Sequence, residues 1–335
     1  MRLPRRALLV GINAYDHARK LSGCVSDAES MGELLARNQD RAPNYECRIL
    51  LDKMEDGKPI TRSRLRDACQ KLFSNEFKGD VIFYFSGHGF LAPYGGYLCT
   101  TDATQDDWGV PMQEIVDMAS KASANDILIL LDCCHSGDIA NPSIFNAENN
   151  RNPLAVIREN MTVIAASRDS QVAIEKSGHG LFTAAVLDAL EGGAADHMGW
   201  VTASSIYAYV ERRFGSWDQR PVYKSHATGV TIVRECAPLI DRLKLYKLLE
   251  IFPAQDYQYQ LDPEYEPEDE YGNTKEPVNE IKVVTAQLLK EYRDAGLVKP
   301  VIEGEQLFWT ARRSHAVKLT PRGREYWWLI HNHKI

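Results

Sequence analysis

Hydrophobic positions in the first 236 residues fall into short, nearly unbroken runs separated by stretches of helical spacing. The runs are A-L-L-V-G-I (7–12), C-R-I-L-L-D (47–52), V-I-F-Y-F-S (81–86), I-L-I-L-L-D (127–132), M-T-V-I-A-A-S (161–167) and G-V-T-I-V-R (229–234). Runs of this length, rich in Val, Ile and Leu and without polar alternation, predict strands buried on both faces. Between them Ser26–Asn38, Thr61–Asn75, Pro111–Lys121 and Leu181–Glu191 carry helical spacing, with Ser26 and Thr61 as candidate N-caps. Alternating strands and helices predict a sheet with helices on both faces, with functional groups at the carboxyl ends of its strands.

The pattern changes after residue 237. A helical stretch at Leu239–Ile251 precedes residues 254–280, where nine acidic residues stand against one lysine, with three prolines, for a net −8. This composition predicts a solvated loop or linker. Residues 281–335 carry ten Lys or Arg against five Asp or Glu, and periodicity returns in V-V-T-A-Q-L-L-K-E-Y-R-D-A-G-L-V, Q-L-F-W-T-A and L-T-P-R-G-R-E-Y-W-W-L-I. Helix, β-ribbon and helix are predicted in that order, in the manner of a small winged-helix-like module at 238–335 with an acidic insertion at 254–280. The first domain is then 1–237.

Composition narrows the class. With 44% hydrophobic and 25% charged residues over 335 positions, the chain can bury one substantial core and a second small one. The basic, then apolar, start M-R-L-P-R-R-A-L-L-V-G-I is too short an apolar run for a membrane span and reads as the first strand. Seven scattered cysteines fit reduced thiols and a cytoplasmic setting better than disulfides. A net charge of −7 argues against a surface that coats nucleic acid.

Two strands end in reactive groups. V-I-F-Y-F-S runs into S-G-H-G, and 46 residues beyond His88, I-L-I-L-L-D runs into D-C-C-H-S-G. Side chains alternate along a strand, so Asp132 and Cys134 share one side, Cys133 takes the other, and Ser86 goes with His88. If these strands are neighbours, about 4.8 Å apart, a Cys/His dyad forms at the sheet edge. Adjacent cysteines on opposite faces, with no C-x-x-C pairs, argue against zinc. Taken singly, a cysteine at a strand end is more often packing than chemistry, and Cys133 remains an alternative nucleophile.

Five segments in order, L-S-G-C-V-S-D-A (21–28), S-G-H-G (86–89), D-C-C-H-S-G (132–137), A-A-S (165–167) and G-L-F-T (180–183), resemble the caspase-like cysteine peptidases, peptidase C14, in their metacaspase and prokaryotic branch. The resemblance spans nearly all of residues 6–236. It implies an α/β fold, a three-layer α/β/α sandwich on a six-stranded, mostly parallel sheet. It further implies Cys134 as nucleophile, His88 as its base, and the backbone N–H groups of Gly89 and Cys134 as the oxyanion site. Asp132, Asp27, Cys24 and Ser86 are then the lining of an acidic S1 pocket, suited to protein substrates with Arg or Lys at P1. No third member of a triad is evident.

No cofactor is expected, although relatives that use calcium make Asp102, Asp106 and Asp107 of T-T-D-A-T-Q-D-D candidate ligands. Arg151, in the Asn-rich stretch 138–153, is a candidate processing site for self-cleavage or for an upstream activating protease. By the same resemblance, the function expected is a restrained, zymogen-like endopeptidase in a stress or antiviral defence response. The C-terminal module is expected to dock a regulator, ahead of DNA binding. The alternatives are a catalytically silent scaffold and a winged-helix DNA-binding regulator.

Overall fold

The computed structural model describes residues 3–52, 58–92, 95–104, 106–133, 157–166, 179–214, 221–268 and 271–335. The chain divides into two compact units: Met1–Ala195 with Gly199–Ala237, and Asp196–Met198 with Pro238–Ile335.

In the first unit the elements are β1 (Arg5–Gly11), α1 (Cys24–Ala36), β2 (Glu46–Leu51), α2 (Arg62–Leu72), β3 (Asp80–Ser86), β4 (Gly89–Ala92), β5 (Gly95–Cys99), β6 (Gly109–Pro111), α3 (Met112–Lys121), β7 (Ile127–Asp132), β8 (Met161–Ala165), α4 (Leu181–Asp188), β9 (Trp200–Thr202), α5 (Ala203–Glu211), β10 (Val222–His226) and β11 (Ile232–Glu235). Six of them form one sheet in the order β10-β8-β7-β3-β1-β2, parallel except for β10. Alternation along the central strands builds two half-cores. Val10, Phe83, Phe85, Ile129 and Leu131 pack with Leu65 of α2 and Ile115 of α3. Leu9, Ile82, Tyr84, Leu128 and Leu130 pack with Met31 of α1, Phe182 of α4 and Ile206 of α5. Each large apolar side chain buried this way contributes about 1.5–3 kcal/mol, which is why these runs tolerate no polar alternation. The three-layer α/β/α sandwich with a six-stranded, mostly parallel sheet is the observed fold.

The sixth strand differs from the one the hydrophobic pattern predicts. V-Y-K-S-H at 222–226 takes the sheet edge, antiparallel to β8, whereas the apolar run at 229–234 supplies β11, which pairs with β9 in a separate two-stranded sheet. An edge strand is half-solvated and carries polar groups, so it leaves little hydrophobic trace. Helix α1 likewise starts two residues before Ser26. Its first N–H groups, on Cys24 and Val25, donate to the side-chain carbonyl of Asn13, so the cap comes from the loop after β1. Thr61 caps α2 as expected, accepting from Arg64 N–H at 3.3 Å.

The second unit contains α6 (Arg242–Tyr246), α7 (Leu248–Ile251), β12 (Gln258–Gln260), α8 (Glu280–Asp294), β13 (Val298–Pro300), α9 (Leu307–Arg312), β14 (Ala316–Leu319) and α10 (Pro321–His331). Its sheet is antiparallel, in the order β12-β14-β13. Residues 306–311, predicted as part of a ribbon, form helix α9 instead. Leu307, Thr310 and Ala311 are buried at helical spacing, and the Thr310 hydroxyl donates back to the Gln306 carbonyl. The acidic stretch is also more ordered than its composition predicts. It supplies β12 and buries Leu261 and Tyr265, while Lys282 pairs with Asp262 and Glu264 and Lys290 pairs with Glu266. Among the described residues no helix is long and apolar enough to cross a membrane.

Candidate active site

Three parallel strands end together, with Gly11 opposite Ser86 and Ser86 opposite Asp132. Ser86 and Asp132 continue the side of the sheet occupied by Tyr84 and Leu130, so both face α1 and α4. Gly11 permits that approach: a Cβ there would lie 2.3 Å from the Cys24 carbonyl at the start of α1. Asn13 then pins the loop, donating to the Ser22 carbonyl and accepting from the start of α1. Asp52, beyond β2, accepts the main-chain N–H groups of Asn13 and Ala14. The result places Cys24 and Asp27, three residues apart on the first turn of α1, beside the strand ends.

Asp27 and Asp132 are only 2% and 8% exposed, and burying two carboxylates is costly unless their oxygens are satisfied. Asp27 Oδ2 accepts the Ser86 hydroxyl at 2.9 Å, and Oδ1 lies 2.8 Å from Nδ1 of His179. Asp132 Oδ2 accepts both the N–H and the hydroxyl of Thr183, at 3.2 and 2.7 Å. Because the Thr183 proton is committed to Asp132, the Tyr84 hydroxyl donates to Thr183 Oγ1, at 2.7 Å. Burial, reinforced by the charge of Asp132 and opposed by His179 and Ser86, pushes the Asp27 carboxyl up to about 6. Burial, with both carboxylates nearby, holds the Tyr84 phenol well above its ordinary value, so it stays a donor.

His88 takes a different course from the alternation predicted for it. The strand ends at Ser86 and the chain bends at Gly87, where a Cβ would meet the Tyr15 hydroxyl at 2.6 Å. His88 therefore leaves the side of Ser86 and stands against Tyr15, which belongs to the other half-core, with ring centroids 4.7 Å apart. Its main-chain N–H donates to the Tyr15 hydroxyl at 2.7 Å. Its Nε2 lies 2.7 Å from the Arg19 carbonyl, which can only accept, so Nε2 carries the hydrogen and Nδ1 is left as the basic nitrogen of the neutral ring. The orienting group absent from the sequence motifs is thus a backbone carbonyl. Gly89 opens β4 opposite Leu98, and with His88, Arg19, Phe90 and Trp108 it lines a cavity of about 590 Å³. Phe90 and Trp108 stack there with centroids 3.6 Å apart.

With this arrangement of strand ends, a family model for the caspase domain of peptidase C14 matches residues 4–231. The chain belongs to the peptidase C14 family. Within it the chain is similar to metacaspase-7 of Arabidopsis thaliana, 28% identical over 151 residues, covering 41% of this chain and 36% of that one. It is also similar to metacaspase-3 of Trypanosoma cruzi, 31% identical over 155 residues and 40% of each chain. The chain thus spans well under half the length of these curated relatives. A crystal structure of protein GSU0716 from Geobacter sulfurreducens aligns with a TM-score of 0.47 at 21% identity, over 68% of this chain and 94% of that one.

The caspase domain brings together four of the residues singled out in the sequence, Asp27, Ser86, Asp132 and, on the same helix turn, Cys24, with His88 and Gly89 across the Gly87 bend. Cys134 and Arg151 lie outside the described residues. Cys133 is buried in the half-core with Leu131, on the opposite side of β7 from Asp132, as alternation predicts. Asp102 and Asp107 engage Arg62 instead of gathering as a ligand set. Asp102 Oδ1 accepts the Arg62 main-chain N–H and the Thr100 hydroxyl, and Asp107 pairs with the Arg62 guanidinium at 2.9 Å. Asp106 is exposed, and among the described residues no three His, Cys, Asp or Glu are grouped to hold a metal. Sequence reasoning missed Tyr15, the Arg19 carbonyl and His179. The first and last carried a faint signal as polar aromatics near a motif, and the carbonyl carried none.

Proposed function

We propose that this peptidase C14 chain is a cysteine endopeptidase that cleaves after Arg or Lys. The observation that carries the reading is the buried cluster of Asp27, Ser86 and Asp132 at the carboxyl ends of β3 and β7 and the start of α1. Two carboxylates held in one low-dielectric recess favour a cation and repel an acidic P1 side chain. In the reaction, the Cys134 thiol attacks the scissile carbonyl while His88, through Nδ1, takes its proton and passes it to the departing amine. Water then hydrolyses the thioester. Gly89 N–H, with that of Cys134, holds the oxyanion. The similarity to metacaspases supports the basic P1 preference.

A protease selective for so common a residue type needs restraint within a cell. The reading therefore includes a cytoplasmic zymogen activated by cleavage at Arg151 or by a regulator docking on 238–335, in a stress or antiviral defence setting, with calcium as an optional effector. Peptides with Arg, Lys or Asp at P1, assayed with and without calcium against Cys134→Ala, test it. Cleavage after Arg or Lys that is lost in Cys134→Ala is expected. Cleavage after Asp alone, or activity that survives the substitution, overturns the reading.

A further inference from the structure

The buried acidic pair already has a base from its own chain against it. His179 Nδ1 lies 2.8 Å from Asp27 Oδ1, and Oδ2 accepts the Ser86 hydroxyl, so both oxygens of Asp27 are engaged. The Asp27 side chain is 2% exposed and that of His179 24%, which makes the imidazole the outer member of the pair, between the carboxylate and solvent. The next residue explains how it gets there. A Cβ on Gly180 would lie 2.6 Å from Asp132 Oδ2, so only a bare α-carbon lets the chain cross so close to the second carboxylate and carry His179 onto the first.

We propose that His179 is a specificity-determining residue, holding on Asp27 the place of the basic P1 side chain, and that substrate binds by displacing the imidazole from the carboxylate. The proposal rests on the P1 assignment made above. The exchange breaks one N–H···O contact and is favourable only for an entering group that restores at least as much. A guanidinium brings five donors and an ammonium three, each with a full charge. A neutral side chain that pushed His179 aside without donating in its place would leave a buried carboxylate oxygen without its hydrogen-bond donor, so the residue acts against neutral P1 groups as well as competing with basic ones.

The test uses butylguanidinium, which carries the arginine head group and no scissile bond, titrated calorimetrically into the full chain at pH 8. Asp132, Tyr84 and Ser86 face Asp27 from the two strands and His179 from the chain ahead of α4, and at this pH Asp27 is ionised. His179→Ala is expected to bind the probe about tenfold more tightly than wild type, the fold-change equivalent to about 1.4 kcal/mol. His179→Gln, which keeps a neutral donor, is expected to gain less and serves if the alanine variant does not fold. In wild type, the His179 imidazole resonances are expected to move as the probe saturates the site. Affinity that is unchanged, weaker or absent in the variants, or resonances that stay put, overturns the role of His179. If wild type cleaves Arg peptides while the variants gain nothing, His179 alone is wrongly assigned. A gain in affinity by a chain that cleaves no peptide sustains the His179 role and overturns the peptidase reading.

Discussion

The main-chain N–H of His88 donates to the hydroxyl of Tyr15 at 2.7 Å, while the imidazole rests against the same tyrosine ring. One buried side chain therefore fixes both the backbone and the ring of the proposed base. Tyr15→Phe keeps the ring contact and removes the acceptor, leaving an N–H unpaired at a cost of about 1–3 kcal/mol. The expected result is a fall in kcat of about tenfold with KM for Arg peptides unchanged, because Asp27, Ser86 and Asp132 are untouched. A change in KM alone would mean that Tyr15 acts on the pocket and not on His88.

Asp27 gives a pH dependence of definite sign. Its carboxyl is raised from 3.8 to about 6, chiefly by burial and then by Asp132. Between those values the folded chain holds a proton that the unfolded chain has released, so this group favours folding at low pH and opposes it as pH rises through 6. The rise corresponds to about 3 kcal/mol at neutral pH. Asp27→Asn is therefore expected to stabilise the protein at pH 8, by about 1–3 kcal/mol in urea unfolding, with the gain disappearing by about pH 4. On the proposed P1 preference catalysis moves the other way: KM for Arg peptides is expected to climb as pH falls below 6, where the carboxylate proposed to receive the cation is protonated. An Asp27→Asn variant less stable at pH 8 than at pH 4, relative to wild type, would contradict the assignment.

Much of this was legible in the sequence, for reasons that particular residues make plain. Strands β1, β3, β7 and β8 are buried on both faces, so Leu8–Val10, Val81–Phe85 and Ile127–Leu131 had to be unbroken apolar runs. Strand β10 sits at the edge, and Lys224 and His226 hid it. Alternation set Asp132 and Cys133 on opposite sides correctly because they lie within or next to regular strand. It failed at His88 because Gly87 ends the strand one residue earlier. The Arg19 carbonyl has no side-chain signature, and the pairing of His179 with Asp27 joins residues 152 apart that no local pattern relates. Acidic residues 262–266 looked like a solvated linker because their partners, Lys282 and Lys290, are on a helix further along the chain.

Gly180 offers a steric test of the pocket that leaves backbone strain out. Its φ and ψ, −62° and 144°, suit any residue, so Gly180→Ala costs nothing in conformation. The new methyl instead meets the Asp132 carboxylate, which Thr183 holds by two hydrogen bonds and cannot easily release. Overpacking of this kind costs about 1–3 kcal/mol. The expected outcome is a loss of stability in that range, and a rise in KM for Arg and Lys peptides of about tenfold as Asp132 is pushed aside. Wild-type stability and KM in this variant would show that the chain can retreat from Asp132 and that the close crossing is not needed.

The acidic segment of the second unit should come loose when its cations are removed. Lys282 contacts Asp262 at 2.5 Å and Glu264 at 2.9 Å and lies over the Tyr265 ring, and Lys290 holds Glu266. Leu261 and Tyr265 anchor the segment by burial, with the Leu261 N–H bonded to the His315 carbonyl. Charge thus trims a segment that apolar contacts hold. Lys282→Glu places a third acid between two others, and 1 M salt shortens the Debye length from about 8 to about 3 Å, so both act on the same pairs. Faster cleavage by an added protease at residues 262–276 is expected in Lys282→Glu at low salt, and in wild type at high salt, while thermal unfolding of the caspase domain stays where it was. Equal cleavage rates in all three conditions would mean that Leu261 and Tyr265 alone order the segment and that the opposite charges of 254–280 and 281–335 are incidental to it.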